Sequence, residues 1–234
     1  MNAPIGVIDS GVGGLTVAKE IMKRLPNETI YYIGDTARCP YGPRSKKEVQ
    51  KFTWQMADAL RQMNVKMLVI ACNTATAVSL VPLQKEMPFP VLGVINAGAR
   101  AAIKHSRSNE IAVLATEGTI RSGAYEDAVL SLSTSAKVHP LACPTFVPVV
   151  ESGEYRSELA SKIIADGLKP LDGLRFDTAI LGCTHYPIIQ SHIEAALGPG
   201  VKVLSSAEET ASDVEHYLTY NGLLANSKAP AHRF

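Results

Sequence analysis

Two cysteines stand in matching places far apart in the chain. In Leu68-Val69-Ile70-Ala71-Cys72-Asn73-Thr74-Ala75-Thr76-Ala77 an apolar run of strand type ends in Cys72 and gives way to small, hydrogen-bonding residues. In Thr178-Ala179-Ile180-Leu181-Gly182-Cys183-Thr184-His185-Tyr186-Pro187 a second such run ends in Cys183, again followed by a hydroxyl residue. A cysteine at a helix start sits beside backbone N–H groups that lack intrahelical partners, at the positive end of the helix dipole, and both favour the thiolate. A single cysteine after a strand is ordinarily a small core residue. Two in one context, at the strand ends where α/β sheets bind ligands, ask for a shared chemistry.

Several chemistries can be weighed. The four cysteines, Cys39, Cys72, Cys143 and Cys183, contain no C-x-x-C pair, so free thiols in a reducing, cytoplasmic compartment are expected rather than a disulfide. Zinc asks for more ligands at chelating spacing than Cys183 and His185 offer, and no metal is expected. Proton transfer by two positioned groups remains. One thiolate can take a proton from one face of a carbon while the other thiol delivers one to the opposite face, inverting a stereocentre. A thiol pKa of about 8.5 leaves only a few per cent thiolate at neutral pH, so the base is expected to be tuned downward by donors at the helix start. The carbanion that develops also needs fixed donors at a substrate carboxylate. Ser10, Asn73, Thr74 and Thr184 are suitable.

The elements that must hold these residues alternate between strand and helix. Ile5–Ile8 reads as a buried strand that runs into Asp9-Ser10-Gly11-Val12-Gly13-Gly14. The helix after it carries Val17, Ile21 and Leu25 on one face. The loop fits neither nucleotide-binding glycine pattern. It suits close approach of backbone to a small ligand, with Asp9 either capping the helix or serving the site. Thr29–Ile33 is the second strand, ahead of a stiff loop, Gly34 to Pro43, that presents Tyr41 and Gly42. Ser45 and Glu48 form a capping-box pattern before a helix with Val49, Phe52, Met56, Ala59, Leu60 and Met63 on its core face. Met67–Ala71 is the third strand and Val91–Ile95 the fourth.

The order then repeats. Ile111–Ala115 has the character of the first strand, with Thr116-Glu117-Gly118-Thr119 in place of its loop. Val138–Ala142 parallels the second strand, and Cys143-Pro144 echoes Cys39-Pro40. Val149-Val150-Glu151-Ser152-Gly153 precedes a helix carrying Leu159, Ile163, Ile164 and Leu168. Val201–Leu204 is a last strand, Glu208–Tyr217 a last helix, and Ser227–Phe234 a loose tail. The offset is 106 residues from Ile5 to Ile111, 104 from Cys39 to Cys143 and 111 from Cys72 to Cys183. Strand–helix alternation predicts parallel α/β sheets and the near-equal offsets a duplication into two similar halves; if the halves face each other, the two thiols flank a cleft between them. The boundaries expected are residues 1–97 with 206–234 for the first domain and 98–205 for the second.

Bulk properties exclude other classes. Of 234 residues 46% are hydrophobic and 19% charged, at a net charge of +1. That balance suits a globular chain without a nucleic-acid or acidic-membrane footprint. The basic run Arg44-Ser45-Lys46-Lys47 reads as a solvated helix start. The N-terminus lacks the basic region and apolar core of a signal peptide, and no apolar run would span a bilayer. A clamshell binding protein would explain two lobes, but it has no need for paired strand-end thiols.

Four segments together resemble a known family. They are Gly6-Val7-Ile8-Asp9-Ser10-Gly11-Val12-Gly13-Gly14, Cys39-Pro40-Tyr41-Gly42, Ala71-Cys72-Asn73-Thr74-Ala75 and Leu181-Gly182-Cys183-Thr184-His185-Tyr186-Pro187. They resemble the bacterial, cofactor-independent glutamate racemases of the aspartate/glutamate racemase superfamily, over essentially the whole chain. The resemblance implies two pseudo-symmetric α/β domains with the active site in the cleft between them, and Cys72 and Cys183 as the acid/base pair, with Asp9 assisting near Cys72 and Glu151 and His185 near Cys183. It implies substrate contacts from Asp9, Ser10, Tyr41, Gly42, Asn73, Thr74, Thr119, Thr184 and His185. It implies no cofactor, glutamate as substrate, a homodimer and D-glutamate feeding peptidoglycan synthesis. Aspartate racemases of the superfamily typically carry an acidic residue after Cys-Thr, where this chain has His185. Family members usually continue beyond the position of Phe234, and the shorter chain is expected to keep every site residue. Activation by a cell-wall precursor is not expected, since the N-terminal extension of such members is lacking.

Overall fold

The structure is a computed structural model and describes residues 2–227 and 229–234. The first part of the chain alternates strand and helix: β1 (Ile5–Asp9), α1 (Leu15–Arg24), β2 (Ile30–Gly34), α2 (Lys46–Gln62), β3 (Met67–Ile70), α3 (Asn73–Glu86) and β4 (Val91–Gly93). The helix α4 (Val94–His105) leads into β5 (Glu110–Ala115), α5 (Glu117–Arg121), α6 (Ala124–Leu132), β6 (Lys137–Ala142), α7 (Phe146–Glu151) and α8 (Glu158–Leu168). Then follow β7 (Thr178–Gly182), a 3-10 turn at Tyr186–Ile189, α9 (Gln190–Leu197), β8 (Lys202–Ser205) and α10 (Ala207–Tyr220).

The strands form two four-stranded sheets, in the orders β2-β1-β3-β4 and β6-β5-β7-β8. Every pairing is parallel. The two orders are one topology used twice, as the offsets require. In each sheet the cysteine-bearing strand lies beside the first strand, with Ile5 opposite Met67 and Ile111 opposite Thr178. These strands are covered on both faces and read as continuous apolar runs. Ile5, Val7, Ile8 and Leu68–Ile70 are fully buried in one sheet, and Ile111–Leu114 and Ala179–Ile180 in the other.

Local signals explain where the helices begin. Ser45 accepts a hydrogen bond from the Glu48 N–H at 3.3 Å, and Glu48 Oε2 accepts from the Ser45 N–H at 3.1 Å. This is the predicted capping box, worth about 1 kcal/mol. Lys46 and Lys47 are solvated at that helix start. The core face of α2 holds Val49, Met56 and Leu60, with Phe52 and Ala59 half-buried. Met63 lies 46% exposed beyond the helix end, where the chain turns away from the core. On α8, Leu159 is 66% exposed and Ala160 takes the inward place beside Ile164 and Leu168.

Two other expectations are corrected. The fourth strand stops at Gly93 because Val94 already begins α4. The alanines at 97, 99, 101 and 102 favour helix and form its buried face. The segment Ser227–Phe234 is not loose at its end. Tyr31 and Arg233 form a parallel bridge on the edge of β2, with the Tyr32 N–H donating to the Arg233 carbonyl at 2.8 Å. Just before it, the Ala225 N–H donates to Glu28, which is buried in an ion pair with Lys66 at 2.6 Å.

Candidate active site

Parallel strands end together, so the loops after β1, β2 and β3 meet at one sheet edge, and those after β5, β6 and β7 meet at the other. Their residues face one another. Asp9 is fully buried. One of its carboxylate oxygens accepts the N–H groups of Gly11 and Gly14, at 3.1 and 3.0 Å. The other accepts the Thr184 hydroxyl at 3.3 Å, across from the second sheet. The glycines of this loop are needed for that approach: a Cβ on Gly13 would stand 2.6 Å from Thr184 Oγ1 and 2.9 Å from His185 Nδ1. The loops also touch where the Gly118 N–H donates to the Gly42 carbonyl at 3.0 Å.

Cys72 is the N-cap of α3 and its sulfur accepts the Ala75 N–H at 3.4 Å. This is the predicted helix-start position. The expected lowering of its pKa does not follow. Burial, reinforced by the Asp9 carboxylate, pushes the Cys72 thiol up to about 12, against the weaker pull of N–H and hydroxyl donors. Burial also holds Cys183 well above the ordinary thiol range. Desolvation penalises the anion more than one helix turn stabilises it. Both sulfurs are therefore thiols in the protein alone. Burial lifts Asp9 to about 6, with the nearby His185 and the loop N–H groups opposing.

Cys183 has different neighbours. Its sulfur lies 3.8 Å from His185 Nδ1, and His185 Nε2 lies 2.5 Å from Glu151 Oε1. His185 is buried, whereas Glu151, at the end of α7, reaches solvent. A carboxylate, an imidazole and a thiol thus stand in line.

The remaining candidates also gather here. Tyr41 is buried and its hydroxyl donates to Asp35 at 2.5 Å. Thr74, Thr116 and Thr119 form a triangle of hydroxyls with sides of 2.9 to 3.1 Å. Asn73 accepts the Tyr125 hydroxyl at 2.7 Å. Ser10, Tyr41, Gly42, Asn73, Thr74 and Thr184 line a cavity with both cysteines, and its free volume is about 20 Å3, room for roughly one water. Roomier hollows exist, such as one of about 450 Å3 near Lys19, His105 and Glu208, but they contain neither cysteine. Chemistry rather than size marks the small cavity as the site.

Sequence reading missed Thr116, Tyr125 and Cys39. Thr116 carried a signal, since Thr116 to Thr119 has the spacing of an N-cap and the Thr116 side chain accepts the Thr119 N–H. Tyr125 carried none. Cys39 lies at the rim of the cleft: its sulfur, a Glu151 carboxylate oxygen and a His185 ring nitrogen all fall within 4.8 Å of one another. Cys143, its echo in the second half, is 1% exposed under Tyr186 and is a core residue. All four cysteines are free.

Known proteins resemble this chain in sequence and fold over essentially its whole length. A glutamate racemase of Lysinibacillus sphaericus (strain C3-41) is 74% identical over the whole chain and 89% of its own length. The structure of a glutamate racemase isoform from Bacillus anthracis superposes with a TM-score of 0.97 at 50% identity, covering 99% of this chain and 87% of that one. A glutamate racemase from Francisella tularensis, solved with D-glutamate, gives 0.94 at 37% identity over 100% and 87%. With its twice-used sheet and facing thiols, and a match to the family model over residues 5–214, the chain belongs to the Asp/Glu/hydantoin racemase family.

Proposed function

We propose that the protein interconverts L- and D-glutamate by two-base proton transfer at the α-carbon. The observation that carries this reading is the pair of buried strand-end thiols lining one cavity, each with its own acidic or basic neighbour. Cys72, as thiolate, takes the α-proton of D-glutamate, and the Cys183 thiol delivers its own proton to the opposite face. L-glutamate leaves and the protonation pattern is reversed. In the other direction Cys183 is the base. Negative charge that develops on the substrate carboxylate is met by fixed donors. The hydroxyls of Thr74 and Thr119, with Ser10, Asn73 and Thr184, support that placement. Tyr41 and Gly42 close the rim.

Thiolate formation needs an added positive charge. Asp9, at about 6, is the proton acceptor whose charge acts on Cys72, at about 12. That transfer is steeply uphill in the protein alone. The substrate ammonium entering beside both groups supplies a cation that favours Cys72 as thiolate. On the other side, Glu151 holds His185, and the imidazole serves Cys183.

The same reading takes residues 1–97 with 206–234 as one body and 98–205 as the other, with α4 between them. Val94 of α4 joins the core of the first sheet, whereas Ile95, Ala99 and Ala102 join that of the second. The cavity is smaller than glutamate, so the bodies part to admit it. Action as a cytoplasmic homodimer supplying D-glutamate for peptidoglycan, with no added cofactor, completes the reading. No helix among the described residues is long and apolar enough to cross a membrane.

Circular dichroism of L-glutamate with the pure, dialysed protein tests it. The signal should decay to zero, without pyridoxal phosphate and in the presence of EDTA, while L-aspartate is left almost unchanged. A shorter side chain leaves buried donors unpaired. A stable signal, or equal rates on both amino acids, would overturn the assignment.

A further inference from the structure

Glu151 and His185, which serve Cys183 in the proton transfer described above, form a rim cluster with Cys39, which has no part in that transfer. Its three side chains come from the loop after β2, the end of α7 and the residues after β7, the first on the opposite side of the cleft from the other two. Their ligand atoms all lie within 4.8 Å of one another. A thiol, an imidazole and a carboxylate are the ligand types of zinc sites that keep an open fourth position. Zinc bonds of about 2.0 to 2.3 Å would place such atoms roughly 3.3 to 3.7 Å apart. The cluster thus needs movements on the order of an ångström, and Glu151, with a half-exposed side chain, is free to make them. The carboxylates of Glu151, Asp9 and Asp35 all act on Cys39, with Arg44 opposing them and Arg38 paired to Asp35. The position is reachable, because Cys39 is half-buried and Glu151 exposed.

We propose that Cys39, Glu151 and His185 form a binding site for a zinc-class divalent cation that clamps the two sides of the cleft together. Bound there, the metal engages His185 Nε2 and takes it from Glu151. It also ties the loop after β2 to the residues after β7. If the protein is the racemase proposed above, the metal arrests turnover reversibly. The binding itself does not depend on that reading.

Cobalt(II) titration of the full chain under reducing conditions gives a direct probe. One ion per chain should bind with a near-ultraviolet thiolate-to-cobalt absorption band, and zinc should displace it. Zinc should inhibit racemisation, with EDTA restoring it. Cys39→Ser should lose the band, weaken zinc at least about tenfold by removing the soft ligand, and racemise at the wild-type rate without zinc inhibition. Glu151→Gln, read by cobalt spectrum alone, should weaken binding as well, and it serves if Cys39→Ser fails to fold. A band that persists unchanged in Cys39→Ser would place the metal on Cys72 or Cys183 and overturn the proposal. So would the absence of any band in the wild type. A cobalt band without racemisation would leave the site standing and remove the catalytic reading instead.

Discussion

The two halves of the molecule share a sheet order and differ in what they place around the cysteine. In the first half Cys72 caps α3 directly and its acidic neighbour is Asp9, fully buried on the adjacent strand end. In the second half Cys183 precedes a 3-10 turn, and its neighbour is an imidazole held by a carboxylate that reaches solvent. The strand end that gives Asp9 in one half gives Thr116 close by in the other, and there it builds part of a hydroxyl triangle. Duplication fixes where a thiol stands. On the proposed mechanism the side chains around it decide how it gives and takes protons, and a reaction between mirror-image substrates would be run by two sites that are not mirror images.

The largest effect that would break this comparison comes from the thiols themselves. Cys72→Ser and Cys183→Ser should each cut racemisation by on the order of 10³-fold or more, since a hydroxyl cannot replace a thiolate base. Each should still catalyse loss of HCl from one enantiomer of β-chloroglutamate. In that step a single base takes the α-proton and chloride leaves the β-carbon. Cys72→Ser should act on the L form and Cys183→Ser on the D form. Elimination of the same enantiomer by both variants would show that the halves do not divide the work.

A smaller effect sharpens the difference between the neighbours. His185→Asn should lower kcat roughly 10- to 100-fold, within the range for a lost proton-transfer group. Because the two enantiomers are equal in free energy, kcat/KM must fall equally in both directions. The asymmetry appears in isotope effects instead. α-Deuterated L-glutamate should show a larger effect than in the wild type, and α-deuterated D-glutamate a smaller one, because the Cys183 step now limits both directions. Equal changes in the two effects would remove His185 from the Cys183 side.

The smallest effect concerns stability. Burial raises Asp9 from 3.8 to about 6, so the folded protein holds this proton more tightly than the unfolded chain does. The contribution favours folding below about pH 4 and is lost as pH rises through about 6. Asp9→Asn removes a buried charge while keeping an oxygen for the loop N–H groups. It should flatten the fall in Tm between those limits and gain on the order of 1–3 kcal/mol at pH 7, with racemisation impaired. A lower Tm at pH 7 would mean that the carboxylate's hydrogen bonds outweigh its desolvation.

Much of this was legible in the sequence, for local reasons. Strand-end cysteines, the Ser45/Glu48 cap and the repeated order are all set by short runs of residues. The overturned details are places where neighbours in space decide. Val94 and Ile95 have strand character, but the alanines beyond draw them into α4. Leu159 fits a helical stripe, yet the second core is already filled by Ile164 and Leu168 from the same helix. The tuning of the cysteines does not follow from the sequence, because a helix start is visible there and depth of burial is not. The cluster at Cys39 joins residues more than a hundred positions apart and has no signature along the chain.

The place of α10 has a consequence for synthesis. Ala207, Ala211, Val214 and Leu218 complete the core formed by Val17, Ala18, Ile21 and the β1 and β3 side chains. A chain emerging from the ribosome presents that apolar face early and cannot cover it until residues near 218 have appeared. The second sheet, whose strands all lie between Glu110 and Ser205, has every strand in hand before that cover arrives. The half that holds Cys72 is the first to be made and the last to be finished.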